Sequence, residues 1–355
     1  MKKTSYRELA EHLDQLPGGF APSDTGAELR LLQGLFSIEE AELATYLSLD
    51  RENAQVIAKK ANLPLAEVEQ RLNEMSKKGL IFSVQPDIGP LLYQAVPFVV
   101  GIYEFQVNNL NDGLLQDLND YWSTIKPRSR PKTIPQMRTI PVGESIEPHL
   151  EALPYELVNE LIKNHDRFAV APCICRRRAS MMGGGCDAPE ESCLIFDEWA
   201  DYYVRDGRGR SIELSEVMEI LFRANASNLV LQPTNSKDIT AICCCCGCCC
   251  GVLGGIQNHP KPAEAVASSF VSLLDSEICN GCWDCLERCQ MQALTENGNC
   301  VILNTDRCIG CGLCVTTCPS GALTLVRKPD GDRVQVPETI DATWRIISQA
   351  QAEMP

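Results

Sequence analysis

Apolar side chains recur at helical spacing through residues 54–78 and are followed by an extended apolar run. The recurring positions are Val56, Ile57, Leu63, Leu65, Val68, Leu72 and Met75. Residues 62–64 and Gly79 interrupt this spacing, so the pattern predicts a helix, a short turn, a second helix that stops at Gly79, and two strands. Two amphipathic segments, at 27–36 and 38–47, precede these elements.

This order of elements resembles a winged helix-turn-helix, and residues 1–100 are therefore interpreted as a helical, winged-helix-like front end. The resemblance implies DNA binding through the second helix, at 65–78. That helix has no net charge, because three acidic residues balance three basic ones: Glu67, Glu69, Glu74, Arg71, Lys77 and Lys78. Phosphate recognition needs an excess of positive charge. We therefore favour a domain that docks a protein or packs on its neighbours.

Residues 101–148 are interpreted as a strand followed by a proline-rich, basic connector. The apolar stretch 97–107 predicts a buried strand, whereas the connector shows no helical period. Five basic residues lie in the connector: Lys126, Arg128, Arg130, Lys132 and Arg138. Such a run is more often a solvated linker than a contact for an acidic partner.

The segment 149–265 alternates predicted helices and strands, and it is interpreted as a cysteine-rich α/β middle domain. Helices are expected from Tyr155 and over 213–224, and strands over 168–171, 228–232 and 238–242. Because its cysteine-bearing loops follow predicted strands, we expect these loops to meet at one edge.

Short strands around turns are predicted beyond the middle domain, at 292–303 and 321–336. They belong to a domain assigned to 266–328, and a C-terminal tail or helix occupies 329–355. The predicted fold class is multidomain α+β, with a helical front end, an α/β middle and a C-terminal two-cluster fold.

The chain is rich in cysteine, with 20 cysteines among its 355 residues, and this content bears on its chemistry. Disulfides belong mainly to oxidising compartments and to small scaffolds, and this chain is long enough for two or three domains. Its start lacks an apolar leader, and no stretch reaches the roughly 18 apolar residues of a membrane span. We therefore expect a cytoplasmic protein without membrane insertion, whose thiols are metal ligands. The net charge of −15 argues against broad affinity for nucleic acid.

The C-terminal cysteines carry the most specific motif of the chain. Two copies of C-x2-C-x2-C-x3-C occur, formed by Cys279, Cys282, Cys285 and Cys289, and by Cys308, Cys311, Cys314 and Cys318. Three thiolates on a tight loop can bind one cubane, while the fourth points towards a second cubane. One 4Fe-4S cluster is therefore assigned to Cys279, Cys282, Cys285 and Cys318, and the other to Cys308, Cys311, Cys314 and Cys289.

This repeat, within about 275–328, resembles a bacterial-type two-cluster ferredoxin. It departs from the pattern at Gln290, which stands where the second motif has Pro319. Gly281, Gly310 and Gly312 suit backbone that approaches sulfur closely. Two zinc sites are the alternative, but zinc sites normally use two separated ligand pairs.

A second group of cysteines lies in the middle domain, where seven of the eight residues from Cys243 to Cys250 are cysteines. Adjacent cysteines point in different directions in strands and helices, so the run must divide its ligands. One additional iron–sulfur cluster is predicted, and a second stays open. The candidate ligands are Cys173, Cys175, Cys186, Cys193, Cys243, Cys245, Cys246, Cys248 and Cys249.

Three arginines next to two of these candidates support an anionic cluster, whose charge they would offset: Arg176, Arg177 and Arg178. A zinc site, thiol chemistry or plain surface arginines are the alternatives. Cys300 is interpreted as a small apolar core residue. The four histidines lack metal spacing and are interpreted as surface or cap residues: His12, His149, His165 and His259.

Nucleotide-binding motifs such as the P-loop and G-x-G-x-x-G are missing from the sequence. The whole layout resembles uncharacterised ferredoxin-like proteins of anaerobes that carry an N-terminal winged helix. We therefore expect an electron carrier or oxidoreductase subunit that relays single electrons to a partner redox protein, rather than a stand-alone enzyme. A redox-sensing transcription regulator and an iron–sulfur scaffold or activase are the alternatives, and an open iron in the middle cluster would allow chemistry on a small substrate.

Overall fold

The computed structural model describes residues 4–124, 134–146, 152–329 and 334–353. The chain forms two compact units. The first contains Met1–Gln136, Val204–Arg208 and Asp341–Pro355, and the second contains Met137–Tyr203 and Gly209–Ile340. The five segments drawn from the sequence stay a prediction.

Helices dominate the first unit. They are α1 (Ser5–Gln15), α2 (Ala27–Leu35), α3 (Ile38–Ala44), α4 (Ala54–Ala61), α5 (Leu65–Lys78), α6 (Tyr103–Phe105) and α7 (Asp112–Thr124). A small antiparallel sheet has the order β1-β3-β2, with β1 (Glu52–Asn53), β2 (Phe82–Val84) and β3 (Leu92–Gln94). The predicted helix, turn, helix and strand order of 54–94 is confirmed.

Local signals explain where these helices begin and end. The Asn53 side chain accepts a hydrogen bond from the Val56 N–H and caps the start of α4. Asn62 ends α4 and Gly79 ends α5, both in the left-handed conformation that closes a helix. The predicted stop at Gly79 is therefore confirmed.

The predicted strand at 97–107 is wrong. Phe98–Ile102 is an irregular helical turn, and the short helix α6 follows it. Val100 has a φ of 64°, which breaks an extended backbone, and the Gly101 N–H donates to Glu104 Oε2 at 2.8 Å. The burial was predicted correctly, since Phe98 and Phe105 are buried.

The second unit contains a five-stranded sheet with the order β6-β4-β5-β8-β7. Its strands are β4 (Phe168–Pro172), β5 (Glu191–Phe196), β6 (Arg210–Ile212), β7 (Val230–Pro233) and β8 (Ala241–Cys245). The accompanying helices are α8 (Val158–Ile162), α9 (Ile174–Met181), α10 (Asp197–Arg205) and α11 (Leu214–Ala226). All four neighbouring pairs in this sheet are antiparallel. The expected α/β domain is therefore an antiparallel sheet with helices, because β5 returns beside β4 in the opposite direction after α9.

The C-terminal part of this unit is built from short elements. They are α12 (Gly251–Gln257), α13 (Pro262–Ala265), β9 (Phe270–Leu274), α14 (Asp284–Arg288), β10 (Leu294–Asn297), β11 (Cys300–Leu303) and β12 (Leu323–Arg327). The last helix of the chain, α15 (Ile340–Ala352), belongs to the first unit except for its first residue. The predicted hairpin at 292–303 is confirmed as β10 and β11, which pair antiparallel.

The second predicted hairpin, at 321–336, is only half correct. Its first strand is β12, but residues 334–336 are not a strand, and 330–333 lie outside the described residues. β12 pairs instead with β9, which precedes both cysteine motifs. β9 was not predicted from the sequence, and its pairing with β12 means that both cysteine motifs lie between two paired strands in the chain.

One apolar core joins the sheet to both cysteine-rich regions. Val170 of β4 and Ile242 of β8 share it with Met291, Ile309 and Leu313 from the C-terminal part. Five cysteines of the run are also buried in it: Cys244, Cys245, Cys246, Cys249 and Cys250. Within the described parts of the chain, no helix has the length and apolar character needed to cross a membrane.

Candidate iron–sulfur centres

Eight C-terminal cysteines line two separate pockets. One pocket is lined by the inner tetrad, defined as Cys289, Cys308, Cys311 and Cys314. The other contains the outer tetrad, defined as Cys279, Cys282, Cys285 and Cys318. These are the same two sets that the crossed assignment groups, each with three cysteines from one motif and the last cysteine of the other.

Glycines at positive φ shape the loops that carry these cysteines. Gly310 has a φ of 68°, and a Cβ there would lie 2.1 Å from the Phe270 carbonyl oxygen in β9. Gly281 has a φ of 65°, and a Cβ there would lie 2.6 Å from the Asn299 carbonyl oxygen. Close approach to cluster sulfur stays a prediction for these glycines. The nearest crowding atoms in the structure are backbone oxygens, so Gly281 and Gly310 let each loop press against a neighbouring strand or turn.

Hydrogen-bond donors already surround the inner tetrad. The Ser272 N–H lies 3.4 Å from Cys308 Sγ, and its hydroxyl lies 3.5 Å from Cys314 Sγ. The Ala293 N–H lies 3.2 Å from Cys289 Sγ. Donors of this kind tune the potential of a cluster held by thiolates. Four thiols, apolar walls and these donors fit a 4Fe-4S cluster.

Burial strongly favours the protonated form of several of these thiols. It raises the pKa of Cys285 to about 11 and that of Cys314 to about 12, and it raises the pKa of Cys311 as well. For these three cysteines the neutral thiol is therefore the favoured form near neutral pH when no metal is bound. Metal cations reverse this preference, because they stabilise thiolates directly.

Four thiols in the middle region form a compact tetrathiol set. Its members are Cys186, Cys246, Cys248 and Cys249, whose Sγ atoms all lie within 4.8 Å of one another. Cys186 lies beyond α9, and the other three lie on the turn after β8. This turn places Cys248 and Cys249 sulfurs 3.7 Å apart, although the sequence analysis expected adjacent cysteines to diverge.

Six further thiols form a connected string, called here the middle string. Its members are Cys173, Cys175, Cys193, Cys243, Cys245 and Cys250. Cys243 interacts with Cys193 and Cys245, and Cys250 interacts with Cys245 and Cys175. Cys173 completes the string through Cys175.

The fold explains how the string is assembled from distant sequence. Cys193 of β5 lies opposite Cys243 of β8, and Cys245 lies on the same face of β8 because side chains alternate along a strand. Cys173 and Cys175 lie at the start of α9. Cys250 belongs to the run but was not among the predicted ligands. It precedes Gly251, and its side chain accepts a hydrogen bond from the Leu253 N–H and caps α12.

Arg176 is the arginine that contacts the cysteine run. It is buried, its Nη1 lies 3.8 Å from Cys246 Sγ, and its guanidinium donates to the Cys244 carbonyl oxygen at 3.1 and 3.2 Å. Arg177 instead pairs with Glu190 at 2.6 Å. Burial alone would raise the pKa of Cys246, but nearby hydrogen bonds and Arg176 lower it to about 7.

Gln290 connects the two cysteine-rich regions. Its side-chain oxygen accepts a hydrogen bond of 2.7 Å from the Gly247 N–H, in the middle of the cysteine run. Its backbone oxygen accepts another, of 2.8 Å, from Gln257 Nε2. Gln290, the residue at which the sequence departs from the ferredoxin pattern, therefore connects the loop after Cys289 to the cysteine run.

Two interpretations from sequence need correction. Arg138 is buried, and its guanidinium donates to the carbonyl oxygens of Ser236 and Tyr155 at 2.8 Å, so it is neither a linker residue nor a partner contact. The other four basic residues of the connector, Lys126, Arg128, Arg130 and Lys132, lie outside the described residues, as does His149. His165 is buried rather than a surface residue, with Nδ1 2.6 Å from Asp197 Oδ2. Packing of this ring against Phe196 accounts for its burial.

Comparison with known proteins bears on the C-terminal motifs. Residues 301–324 match the family described as 4Fe-4S binding domain, Fer4. This segment carries Cys308, Cys311, Cys314 and Cys318. No curated protein and no solved structure matches the chain. The chain therefore contains a ferredoxin-type domain near its C-terminus and binds at least one 4Fe-4S cluster.

Proposed function

We propose that the protein relays single electrons between two C-terminal 4Fe-4S clusters, an iron–sulfur cluster in the middle region and a partner redox protein. The inner and outer tetrads would hold the C-terminal pair, and the middle string would hold the third cluster. When bound, each cluster supplies a site that stores one electron at a time. The chain supplies the spacing, the burial and the hydrogen bonds.

The hydrogen bond between Gln290 and Gly247 is the observation that carries this proposal. Gln290 directly follows Cys289 of the inner tetrad, and Gly247 lies between Cys245 and Cys250 of the middle string. A bond of 2.7 Å therefore joins the loops that bear candidate ligands of both proposed sites. Met291 and Ile309 pack in the same apolar core as Cys245 and Cys250, so apolar contacts also connect the two loops.

The front end supports docking of a protein better than DNA binding. On α5, Arg71 pairs with Glu67 at 2.9 Å, so its charge is already matched. Lys78 pairs with the buried Glu40 of α3. Basic groups engaged in this way contribute little to phosphate binding. We therefore propose that the winged-helix-like region has a structural or docking role, and that the partner is a redox protein or oxidoreductase subunit.

The test uses the full chain, purified without air, and a one-electron donor. Freeze-quench EPR spectroscopy would follow the reduction of each cluster with time. The variant Gln290→Ala removes the acceptor for Gly247 but no cysteine, so we expect wild-type iron content and reduction of the middle cluster slowed severalfold. Pro319→Ala, at the equivalent position of the second motif, is the matched control and should keep the wild-type rate.

A second variant removes a ligand of the inner tetrad. In Cys311→Ser, the middle cluster should be reduced still more slowly than in Gln290→Ala, because the adjacent cluster is lost. Circular dichroism would establish that each variant is folded. An unchanged rate in both folded variants, or a wild-type chain without a third cluster signal, would contradict the relay.

A further inference from the structure

The tetrathiol set, Cys186, Cys246, Cys248 and Cys249, differs in kind from the two tetrads and the middle string. We infer that it binds a single divalent metal ion, Zn²⁺ or Fe²⁺, in tetrahedral coordination and without inorganic sulfide. This site would be separate from the clusters of the relay, and the inference does not rest on that proposed function.

The distances between the sulfur atoms fit one metal ion. Cys186 Sγ lies 3.8 Å from Cys246 Sγ and 3.7 Å from Cys249 Sγ, and the latter lies 3.7 Å from Cys248 Sγ. A tetrahedron with metal–sulfur bonds of about 2.3 Å has an edge of about 3.8 Å. In a cubane each thiolate binds a different iron, so its four thiolates must lie farther apart.

The backbone around Gly247 brings three of the four sulfurs together. The Cys250 N–H donates to the Cys246 carbonyl oxygen at 3.3 Å and closes this turn. The Gly247 N–H is fixed by Gln290, as described above. Because the turn is neither a strand nor a helix, the alternation of side chains that separates neighbours in β8 no longer applies.

Two of the four sulfurs would shield a bound metal ion from solvent, and the other two leave a route for its entry. Cys246 and Cys249 are buried, whereas Cys186 and Cys248 are exposed. A metal ion could therefore enter from the side of Cys186 and Cys248 and bind last to the two buried sulfurs. All four protein ligands would then be sulfur, which is the closed arrangement of a structural site.

Arg176 is an independent sign of negative charge at this place. Its guanidinium is buried, and no carboxylate among the described residues forms an ion pair with it. A buried cation is costly unless an anionic group compensates it. Four thiolates around a divalent ion carry a net charge of −2, and Arg176 Nη1 lies 3.8 Å from one of them, Cys246 Sγ.

The test compares metal and sulfide contents of the full chain after purification without air. Cys186→Ser and Cys248→Ser alter exposed ligands, so the fold should tolerate them, and Cys300→Ser is the matched control. Cys300 lies on β11 with its Sγ 3.6 Å from the Asn297 carbonyl oxygen. We expect each of the two ligand variants to lose about one zinc or iron ion per chain and to keep all of its acid-labile sulfide. Cys300→Ser should match the wild type in both.

X-ray absorption at the zinc and iron edges separates the two metals. Four sulfur neighbours at about 2.3 Å without iron–iron scattering at the lost site would support the inference for either ion. Loss of sulfide together with several iron ions in Cys186→Ser would mean a cluster and overturn it. Unchanged metal content in both ligand variants would also overturn it. A failed relay with this metal intact would contradict only the proposed function.

Discussion

The two cysteine-rich regions of the second unit encode their sites in opposite ways. In the C-terminal motifs, two or three residues separate successive cysteines, and glycines turn the backbone between them. In the run from Cys243 to Cys250, only Gly247 separates the thiols. Spacing divides the C-terminal ligands between two pockets, whereas strand geometry and a turn divide the run between the middle string and the tetrathiol set.

This difference shows when a ligand set can be read from sequence. A motif such as C-x2-C-x2-C specifies a local loop, so its ligands are assigned before the fold is known. A continuous run of cysteines shows that many thiols are available, but it does not indicate which of them bind the same metal site. The candidate ligands then depend on the partner segments, which here bring Cys193 from β5 and Cys173 and Cys175 from α9 to the run.

We expect the largest effect from a substitution that blocks the turn at Gly310 in the second C-terminal motif. In Gly310→Ala, the new Cβ would lie 2.1 Å from the Phe270 carbonyl oxygen, so β9 or the loop must move. Because Ser272 of β9 donates to Cys308, we expect loss of the inner cluster and destabilisation by more than about 3 kcal/mol. Iron content and thermal unfolding without air would measure both effects.

Gly321→Ala is the control for this change. Gly321 has the same φ of 68°, but no other atom lies within 4 Å of a Cβ placed there. It should cost only about 1–2 kcal/mol for the left-handed backbone and keep all iron. Equal effects of the two substitutions would mean that crowding against β9 does not shape the loop.

A smaller loss of stability is expected when the ion pair between Glu156 and Arg327 of β12 is removed. Glu156, exposed by only 4%, accepts hydrogen bonds from Arg327 of β12. Glu156→Gln leaves the Arg327 side chain, which is 10% exposed, without this counterion, so we expect a loss of about 3 kcal/mol of stability with both C-terminal clusters retained. Lys261→Ala, which removes an exposed pair with Asp306 at 3.3 Å, should leave the free energy of unfolding almost unchanged.

The stabilisation that Glu156 provides should depend on pH, and the direction follows from its pKa. Burial would raise the pKa of Glu156, but hydrogen bonds from Arg327 and from the Leu153 N–H lower it below its usual 4.5. The ionised form is therefore favoured by folding, and its stabilisation is fully present above pH 4.5 and lost as the pH falls through the lower folded pKa. The difference in unfolding free energy between wild type and Glu156→Gln should shrink below pH 4.5. A constant difference down to pH 3 would contradict this assignment.

The sequence predicted most of the local elements and the grouping of the C-terminal cysteines, because both depend on neighbours in the chain. Helix α5 with its stop at Gly79 and the β10–β11 hairpin are examples. It did not predict β9, whose partner β12 lies about fifty residues later in the chain. The burial of Arg138 was missed for the same reason, since its acceptors are carbonyls of distant segments.

The smallest expected effect is that of replacing Cys244, and it tests whether the two faces of β8 separate packing cysteines from candidate ligands. Cys244 and Cys245 are adjacent in β8 and both are buried, but they lie on opposite faces of the strand. Cys245 belongs to the middle string, whereas Cys244 packs in the core.

Cys244→Ala should therefore keep all iron, zinc and sulfide and lose only about 1 kcal/mol of stability, the cost of a small cavity. Cys245→Ala, which removes the same atom one residue later, should lose the iron of the proposed middle cluster. Metal analysis and chemical unfolding of the two variants would separate packing from ligation. Equal loss of metal in both would mean that the run binds metal without regard to the faces of the strand, and the contrast with the C-terminal motifs would then disappear.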